Sequence, residues 1–256
     1  MFRHAIVRAP GSNFAAGLTT VSLGRPELAK VVQQHRLYCA ALEECGLALT
    51  CLEPDLRYPD STFVEDTAVL TERGAILMRP GAESRTGEVE AILPVLQRFF
   101  PATPAIQAPG TVDGGDICEA GDHFFLGLSH RTNQEGARQL AERLSVLGYT
   151  SSTIDVRDMT NILHLKSGIA CIGDNTLVVL KEMAGNPEFA GFELIRVGVE
   201  ECYGANCVRV NQRVLVSEGF PKLESALRQR GFDPMALDMS EFRKMDGGLS
   251  CLSLRF

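Results

Sequence analysis

Thr67-Ala68-Val69-Leu70-Thr71-Glu72-Arg73-Gly74-Ala75-Ile76-Leu77-Met78-Arg79 sets two short apolar runs on either side of a polar turn ending in glycine. Thr67–Thr71 and Ala75–Arg79 are expected to be strands, with Glu72-Arg73-Gly74 as the turn between them. A helical pattern follows over Glu88–Phe99, then a further strand over Thr103–Ala108. The same order returns downstream. Asp116–Glu119 and Phe124–Leu128 read as strands, Asn133–Leu147 as a helix and Ser152–Val156 as a strand. That helix places Ala137, Leu140, Ala141 and Leu144 on one face, the spacing of a buried stripe.

A third unit runs through Ile162–Leu165, Gly168–Ile172 and Thr176–Leu180, with a weaker helix and then Leu194–Val197. A fourth runs through Cys207–Val210, Val214–Ser217, a helix over Pro221–Arg230 and Met235–Asp238. The fifth is split across the ends: Leu249–Leu254, then His4–Arg8, a helix over Pro26–Cys45 and Ala48–Leu52. Only the pattern repeats, not the residues. Five such units, the last closed by both ends of the chain, suit a ring, which removes free sheet edges. A two-layer α/β sheet stays open on pattern alone.

The chain of 256 residues has 45% hydrophobic and 22% charged residues, enough to bury a core. Its 25 Lys+Arg stand against 32 Asp+Glu, for a net charge of −7 and a pI near 5.3. That balance disfavours nucleic acid, which is met by basic faces, and suits a cationic small molecule. No apolar stretch approaches the roughly 20 residues of a membrane span, and the N-terminus lacks a signal-peptide pattern. The eight cysteines (Cys39, Cys45, Cys51, Cys118, Cys171, Cys202, Cys207 and Cys251) include no CxxC pair. Cys118, Cys171 and Cys207 sit in apolar runs as small core residues. Free thiols in a reducing cytoplasm follow, with no metal site.

Three segments carry the parts of a nucleophilic site. Asp246-Gly247-Gly248-Leu249-Ser250-Cys251 sets a thiol behind a glycine pair that lets backbone approach a ligand. Leu163-His164-Leu165-Lys166 embeds an imidazole in an apolar strand, whereas His35 reads as a surface residue of a polar helix and His123 as part of a turn. Asp113-Gly114-Gly115-Asp116 supplies an acid, although it equally suits a hairpin turn. A thiol with a pKa of about 8.5 needs a nearby cation to ionise at neutral pH. A protonated His164 or a cationic substrate would serve.

Asp60-Ser61-Thr62-Phe63-Val64-Glu65-Asp66 concentrates carboxylates around an aromatic ring, a set suited to a planar organic cation through charge and the π-face. A hard metal would want more oxygen ligands. Arg85, in Arg79-Pro80-Gly81-Ala82-Glu83-Ser84-Arg85, and Arg131, in Ser129-His130-Arg131-Thr132-Asn133, stand at the starts of helices. A guanidinium fork there suits a carboxylate.

In order and combination these segments, with Ala205-Asn206-Cys207, resemble the guanidine-modifying enzymes of the pentein superfamily, and within it the dimethylarginine dimethylaminohydrolases. The resemblance spans nearly the whole chain. It implies an α/β fold, a five-bladed α/β propeller of ββαβ modules around a pseudo-fivefold axis, with residues 1–256 as a single catalytic domain. It also implies hydrolysis of Nω-methylated arginine to citrulline and methylamines, with no metal or organic cofactor and a small molecule as the partner. A homodimer is compatible with it.

Carried onto this sequence, the resemblance makes Cys251 the nucleophile, His164 the general acid and base, and Asp113 its orienting acid. Asp60, Phe63, Glu65 and Asp66 would line the guanidinium site, and Arg85 and Arg131 would hold the α-carboxylate. The main chains of Leu18, in a lid loop over Ala15-Ala16-Gly17-Leu18, and of Met245 would hold the α-amino group. Arginine deiminases carry His-x-Asp where this chain has His164-Leu165-Lys166, and a helical insertion that it lacks. An arginine deiminase or a citrulline hydrolase is the alternative on the same scaffold. The ribosome anti-association factor of the same superfamily lacks the catalytic Cys and His.

Overall fold

A computed structural model describes residues 1–173 and 175–256. In chain order the first elements are β1 (His4–Arg8), α1 (Leu28–Glu44), β2 (Ala48–Leu52), β3 (Ala68–Thr71), β4 (Gly74–Leu77) and α2 (Glu88–Leu96). Next come β5 (Ile117–Ala120), β6 (His123–Leu128), α3 (Gln134–Val146), β7 (Thr150–Asp155), β8 (Ile169–Cys171), β9 (Thr176–Leu180) and β10 (Glu193–Val197). The chain continues with β11 (Val208–Val210), β12 (Arg213–Ser217), α4 (Pro221–Gln229), β13 (Asp233–Leu237), α5 (Ser240–Arg243) and β14 (Leu254–Arg255).

Among the described residues the strands form five separate sheets, ordered β14-β1-β2, β3-β4, β5-β6-β7, β8-β9-β10 and β11-β12-β13. In each, the first two strands pair antiparallel, as β5 does with β6 and β14 with β1. The third strand, where present, runs parallel to the second. A hairpin needs only a tight turn, whereas a parallel neighbour needs a crossover. In three sheets α1, α3 and α4 supply it, and α3 buries Ala137, Leu140 and Leu144 as its stripe requires.

Four expectations fail for local reasons. Thr103–Ala108 is no strand. Pro104 lies inside it and Pro101 and Pro109 stand just outside, and only a parallel bridge from Ala105 to Leu77 survives. The third unit has no helix. Its crossover is interrupted by Gly185, Asn186-Pro187 and Gly191, the last at φ +97°, and keeps only a 3₁₀ turn over Pro187–Phe189. Ile162–Leu165 pairs with nothing. Around the turn there Ile162 and Leu163 are half-buried and Leu165 is fully buried. Leu249–Leu254 is mostly a 3₁₀ turn over Ser250–Leu252, leaving Leu254–Arg255 to pair with β1.

His35 is buried rather than solvated, and burial lowers its pKa to about 4. His123 opens β6, its ring nitrogens meeting the hydroxyls of Thr150 and Ser152. Cys118 and Cys207 are buried and Cys171 is half-buried against the same core.

What positions the site is a recurrent lead-in. A 3₁₀ turn precedes the first strand of every sheet: Val64–Thr67, Gly114–Asp116, Leu165–Ser167, Val199–Ala205 and Ser250–Leu252. Val64–Thr67 packs on Ser250–Leu252 and on Gly114–Asp116, which packs on Leu165–Ser167, which packs on Val199–Ala205. Asn206 closes the circuit. Its Nδ2 donates to the Lys166 carbonyl (2.9 Å) and the Ser250 hydroxyl (3.0 Å), and its Oδ1 accepts the Ser250 N–H (3.0 Å). Behind this ring lies a cavity of about 720 Å³, lined by the first strands of the sheets and floored by Glu65, Gly114, Lys166 and Ser250. Cys251, His164 and Asp113 lie outside that lining.

Candidate active site

The turns carry the chemical groups. Glu65 and Asp66 lie within Val64–Thr67 and Cys251 within Ser250–Leu252, while Asp113 and His164 stand one residue ahead of theirs. Asp113-Gly114-Gly115-Asp116 is a point of close approach, not a hairpin. A methyl on Gly114 would lie 2.0 Å from the Glu65 carbonyl oxygen, and one on Gly115 2.7 Å from His164 Nδ1. Only hydrogen fits at either place.

His164 Nε2–H donates to Asp113 Oδ2 at 3.0 Å, and Asp113 Oδ1 accepts the Gly81 N–H at 2.7 Å. Asp116, fully buried, accepts the hydroxyls of Ser129 and Thr132 and the N–H of Leu165. Burial opposes a charged imidazole, but the carboxylates of Asp116, Asp113 and Asp66 outweigh it and raise His164 to about 9. The ring is therefore an imidazolium at neutral pH. A protonated native group stabilises the fold fully below its unfolded pKa of about 6.5, and that stability drains away as pH climbs through about 9. The melting temperature is expected to fall between pH 6.5 and 9, and less steeply in His164→Asn. Parallel melting curves against pH in the two proteins would contradict the raised imidazole.

Arg85 is buried among acids. Its Nε and Nη2 hold Glu88 at 3.0 and 2.8 Å, Nη1 holds Asp66 Oδ2 at 2.6 Å, and Nη2 also reaches the Phe63 carbonyl at 3.1 Å. Asp66 Oδ1 accepts the Gly115 N–H. Burial works against ionisation of Asp66, yet Arg85, His164 and that N–H bring it down to about 2. Arg131 differs: half-buried, its side chain makes no hydrogen bond or ion pair among the described residues, and its charge favours the ionised form of Asp60. So one predicted carboxylate reader is committed to neighbours and the other has its fork free.

Glu65 is also engaged. Oε1 takes the Lys166 ammonium at 2.5 Å and Oε2 the Ser250 hydroxyl at 2.8 Å. Asp60 accepts the Leu18 N–H at 3.1 and 3.2 Å, which fastens the loop after Gly17 over it. Thr19 and Thr20 extend the fastening to the Lys244 carbonyl and the Asp246 carboxylate. The Phe63 ring is packed rather than presented, with Phe14 and Phe242 centroids 5.9 and 6.3 Å away. Met245 is buried beside it, its N–H given to the Phe242 carbonyl.

Cys251 Sγ accepts the Gly248 N–H at 3.4 Å. Burial and the charges of Glu65 and Asp66 push its pKa up to about 12, against the smaller pull of Gly248 N–H and Lys166. Without a ligand the thiol is protonated, and an arriving cation would cancel the acidic potential that keeps it so. Ligand atoms of Asp66, Asp113 and His164 lie within 4.8 Å of one another. A metal there would have to displace Arg85, Gly115, Gly81 and the imidazolium proton, so the donor set does not suit one.

Sequence reading missed Glu88, Lys166, Ser250 and Asn206 as side chains holding the site. Glu88 was within reach, because Arg85 and Glu88 are three residues apart, a pairing distance on a helix. Lys166, Ser250 and Asn206 lie in segments that carry the resemblance, but the partners they hold are remote in sequence and leave no local signal.

The arginine deiminase family model matches residues 57–202. N(G),N(G)-dimethylarginine dimethylaminohydrolase of Pseudomonas aeruginosa is 46% identical over 257 residues, covering 100% of both chains. The Streptomyces coelicolor protein of the same name is 32% identical over 256 residues, covering 99% of this chain and 96% of the relative. A cysteine-to-serine variant of the Pseudomonas protein complexed with citrulline superposes with a TM-score of 0.97 at 46% identity over 100% of both chains. The N-terminal domain of a cyanobacterial arginine dihydrolase, at 17% identity and a TM-score of 0.86, covers 100% of this chain and 98% of its own and shares the fold. No helix among the described residues is long and apolar enough to cross a membrane. With its folding pattern and 46% identity from end to end, this chain belongs to the dimethylarginine dimethylaminohydrolase family.

Proposed function

We propose that this chain hydrolyses Nω-methylated arginine to citrulline and methylamine or dimethylamine, in the cytoplasm, as one catalytic domain over residues 1–256. The five sheets are the blades of a propeller. Their lead-in turns meeting in a ring, and the cavity among their first strands, support that reading. One observation carries the reaction: Asp66 acts on both a thiol held protonated by burial and acids and an imidazolium held charged by acids. Such a site is inert until a cation enters.

The guanidinium settles near Asp60, Glu65 and Asp66, which keep it charged and its carbon electron-poor, with the Phe63 ring behind them. Arg131 receives the α-carboxylate with its free fork, and Arg85 adds charge and its remaining N–H. The Leu18 and Met245 main chains face the α-amino group. The Cys251 thiol then releases its proton to bulk water, and the thiolate attacks the guanidinium carbon. His164 gives its proton to the departing amine, and Asp113 keeps the ring aimed. The neutral imidazole next takes a proton from water. That water attacks the thiouronium carbon, the C–S bond breaks and citrulline leaves. No metal or cofactor enters these steps.

Lys166 favours the methylated substrate. The acid that deiminases place two residues after the histidine is replaced by an ammonium occupying one Glu65 oxygen. An unsubstituted –NH2 would lack an acceptor in a dry pocket, costing roughly 1–3 kcal/mol, while methyl groups need none. kcat/KM for asymmetric dimethylarginine is expected to exceed that for arginine by about tenfold or more, with citrulline and dimethylamine released together. Equal turnover of arginine would favour the deiminase reading, to which the matching family model lends weight.

A further inference from the structure

We infer that Tyr203 is a positioning residue for the thiol: its hydroxyl fixes the Gly247–Gly248 peptide so that the Gly248 N–H faces Cys251. The Tyr203 hydroxyl donates to the Gly247 carbonyl at 2.7 Å, and the Gly248 N–H donates to Cys251 Sγ at 3.4 Å. Both groups belong to one peptide unit, whose carbonyl and N–H lie in its plane and point in opposite directions. Tyrosine and sulfur therefore hold opposite edges of a single plate.

The plate lies between two glycines, whose freedom of rotation makes a flip cheap. Flanking bonds do not prevent it. Gly247 N–H donates to the Phe242 carbonyl and the Gly248 carbonyl accepts the Cys251 N–H, but both lie outside the rotating unit. A flipped peptide would aim a carbonyl dipole at the sulfur and oppose the thiolate. Tyr203 is itself held rigid. The Arg243 guanidinium lies 4.7 Å from its ring centroid and the Phe220 ring 5.9 Å away, and the side chain joins two core clusters. On the far side of the plate, Asn206 Oδ1 would lie 2.4 Å from a methyl on Gly248, so the segment cannot drift that way.

The role rests on Cys251 being the nucleophile. The charged and titratable groups facing the thiol are Glu65 and Asp66, from the turn ahead of β3, Lys166, from the turn ahead of β8, and Tyr203. None of the other three changes in Tyr203→Phe, which keeps the ring and its stacking and removes only the hydroxyl.

The test is the pH dependence of iodoacetamide alkylation at Cys251, followed by peptide mass mapping in wild type and Tyr203→Phe. The midpoint is expected to rise by roughly half to one unit, and kcat/KM for dimethylarginine to fall about threefold to tenfold, with citrulline affinity unchanged. 3-Fluorotyrosine at position 203, a stronger donor of nearly the same shape, should hold the midpoint at or below the wild-type value. An unchanged midpoint in Tyr203→Phe, or a raised one with 3-fluorotyrosine, overturns the positioning role. Activity surviving complete alkylation of Cys251 would instead remove the nucleophile assignment beneath it.

Discussion

Cys251→Ser is expected to bind substrate and citrulline but to lose at least about a thousandfold in turnover of dimethylarginine. The thiol in this site is already hard to ionise, lifted to about 12 by burial and by Glu65 and Asp66. A hydroxyl starts several units higher, and nothing beside it can take its proton. His164 is protonated and tied to Asp113 at neutral pH. A guanidinium cation can lower a thiol into reach, but it cannot do the same for an alcohol. The decisive measurements are citrulline release, calorimetric binding of citrulline and mass spectrometry of quenched wild type. An adduct on any cysteine other than Cys251 would reassign the nucleophile.

Arg85→Ala and Arg131→Ala should fail in opposite ways. Removing Arg85 leaves Asp66 and Glu88 buried and unpaired, and breaking a buried ion pair from one side costs about 3–5 kcal/mol. The expected result is a large drop in melting temperature. Removing Arg131 leaves no partner stranded, so stability should hold within about 0.5 kcal/mol. KM for methylarginine should rise roughly tenfold to a hundredfold through a lost charged hydrogen bond. A dimethylguanidine lacking the carboxylate should show no added loss in Arg131→Ala. If both substrates suffer equally, Arg131 supports the fold instead.

The difference between those two arginines marks the limit of what residue order discloses. Strands inside the sheets were legible because they are continuous apolar runs: Leu177, Val178, Val179 and Leu180 are all buried, and pattern alone announces them. The turns that carry the chemistry were not. Leu165 is as apolar and as buried as a strand residue, yet it is buried by a 3₁₀ turn, so the run around His164 mimicked a strand. Polar neighbours likewise hid the burial of His35, because α1 lies along the sheet on a face that includes Gln34 and His35. The site segments could be listed from the sequence, but the partners of each side chain could not. Arg85 and Arg131 look alike until Glu88 and Asp66 are seen to close around one of them.

The sheet made from both ends of the chain also governs when reactivity can arise. β14 pairs with β1 through Ala5 with Arg255 and Ile6 with Leu254, contacts that span almost the whole sequence. Each such pair closes a long loop, whose entropy must be overcome before the contact repays it. The Ser250–Leu252 turn that bears the thiol leads straight into that strand, and its seat is made by Asn206, Glu65 and Tyr203 from segments far upstream. While the chain is partly folded, Cys251 is an ordinary cysteine on a loose tail, with no acidic cradle and no imidazolium nearby. Chemical competence thus depends on topology: the seat of the thiol is complete only when the first strand is joined to the last.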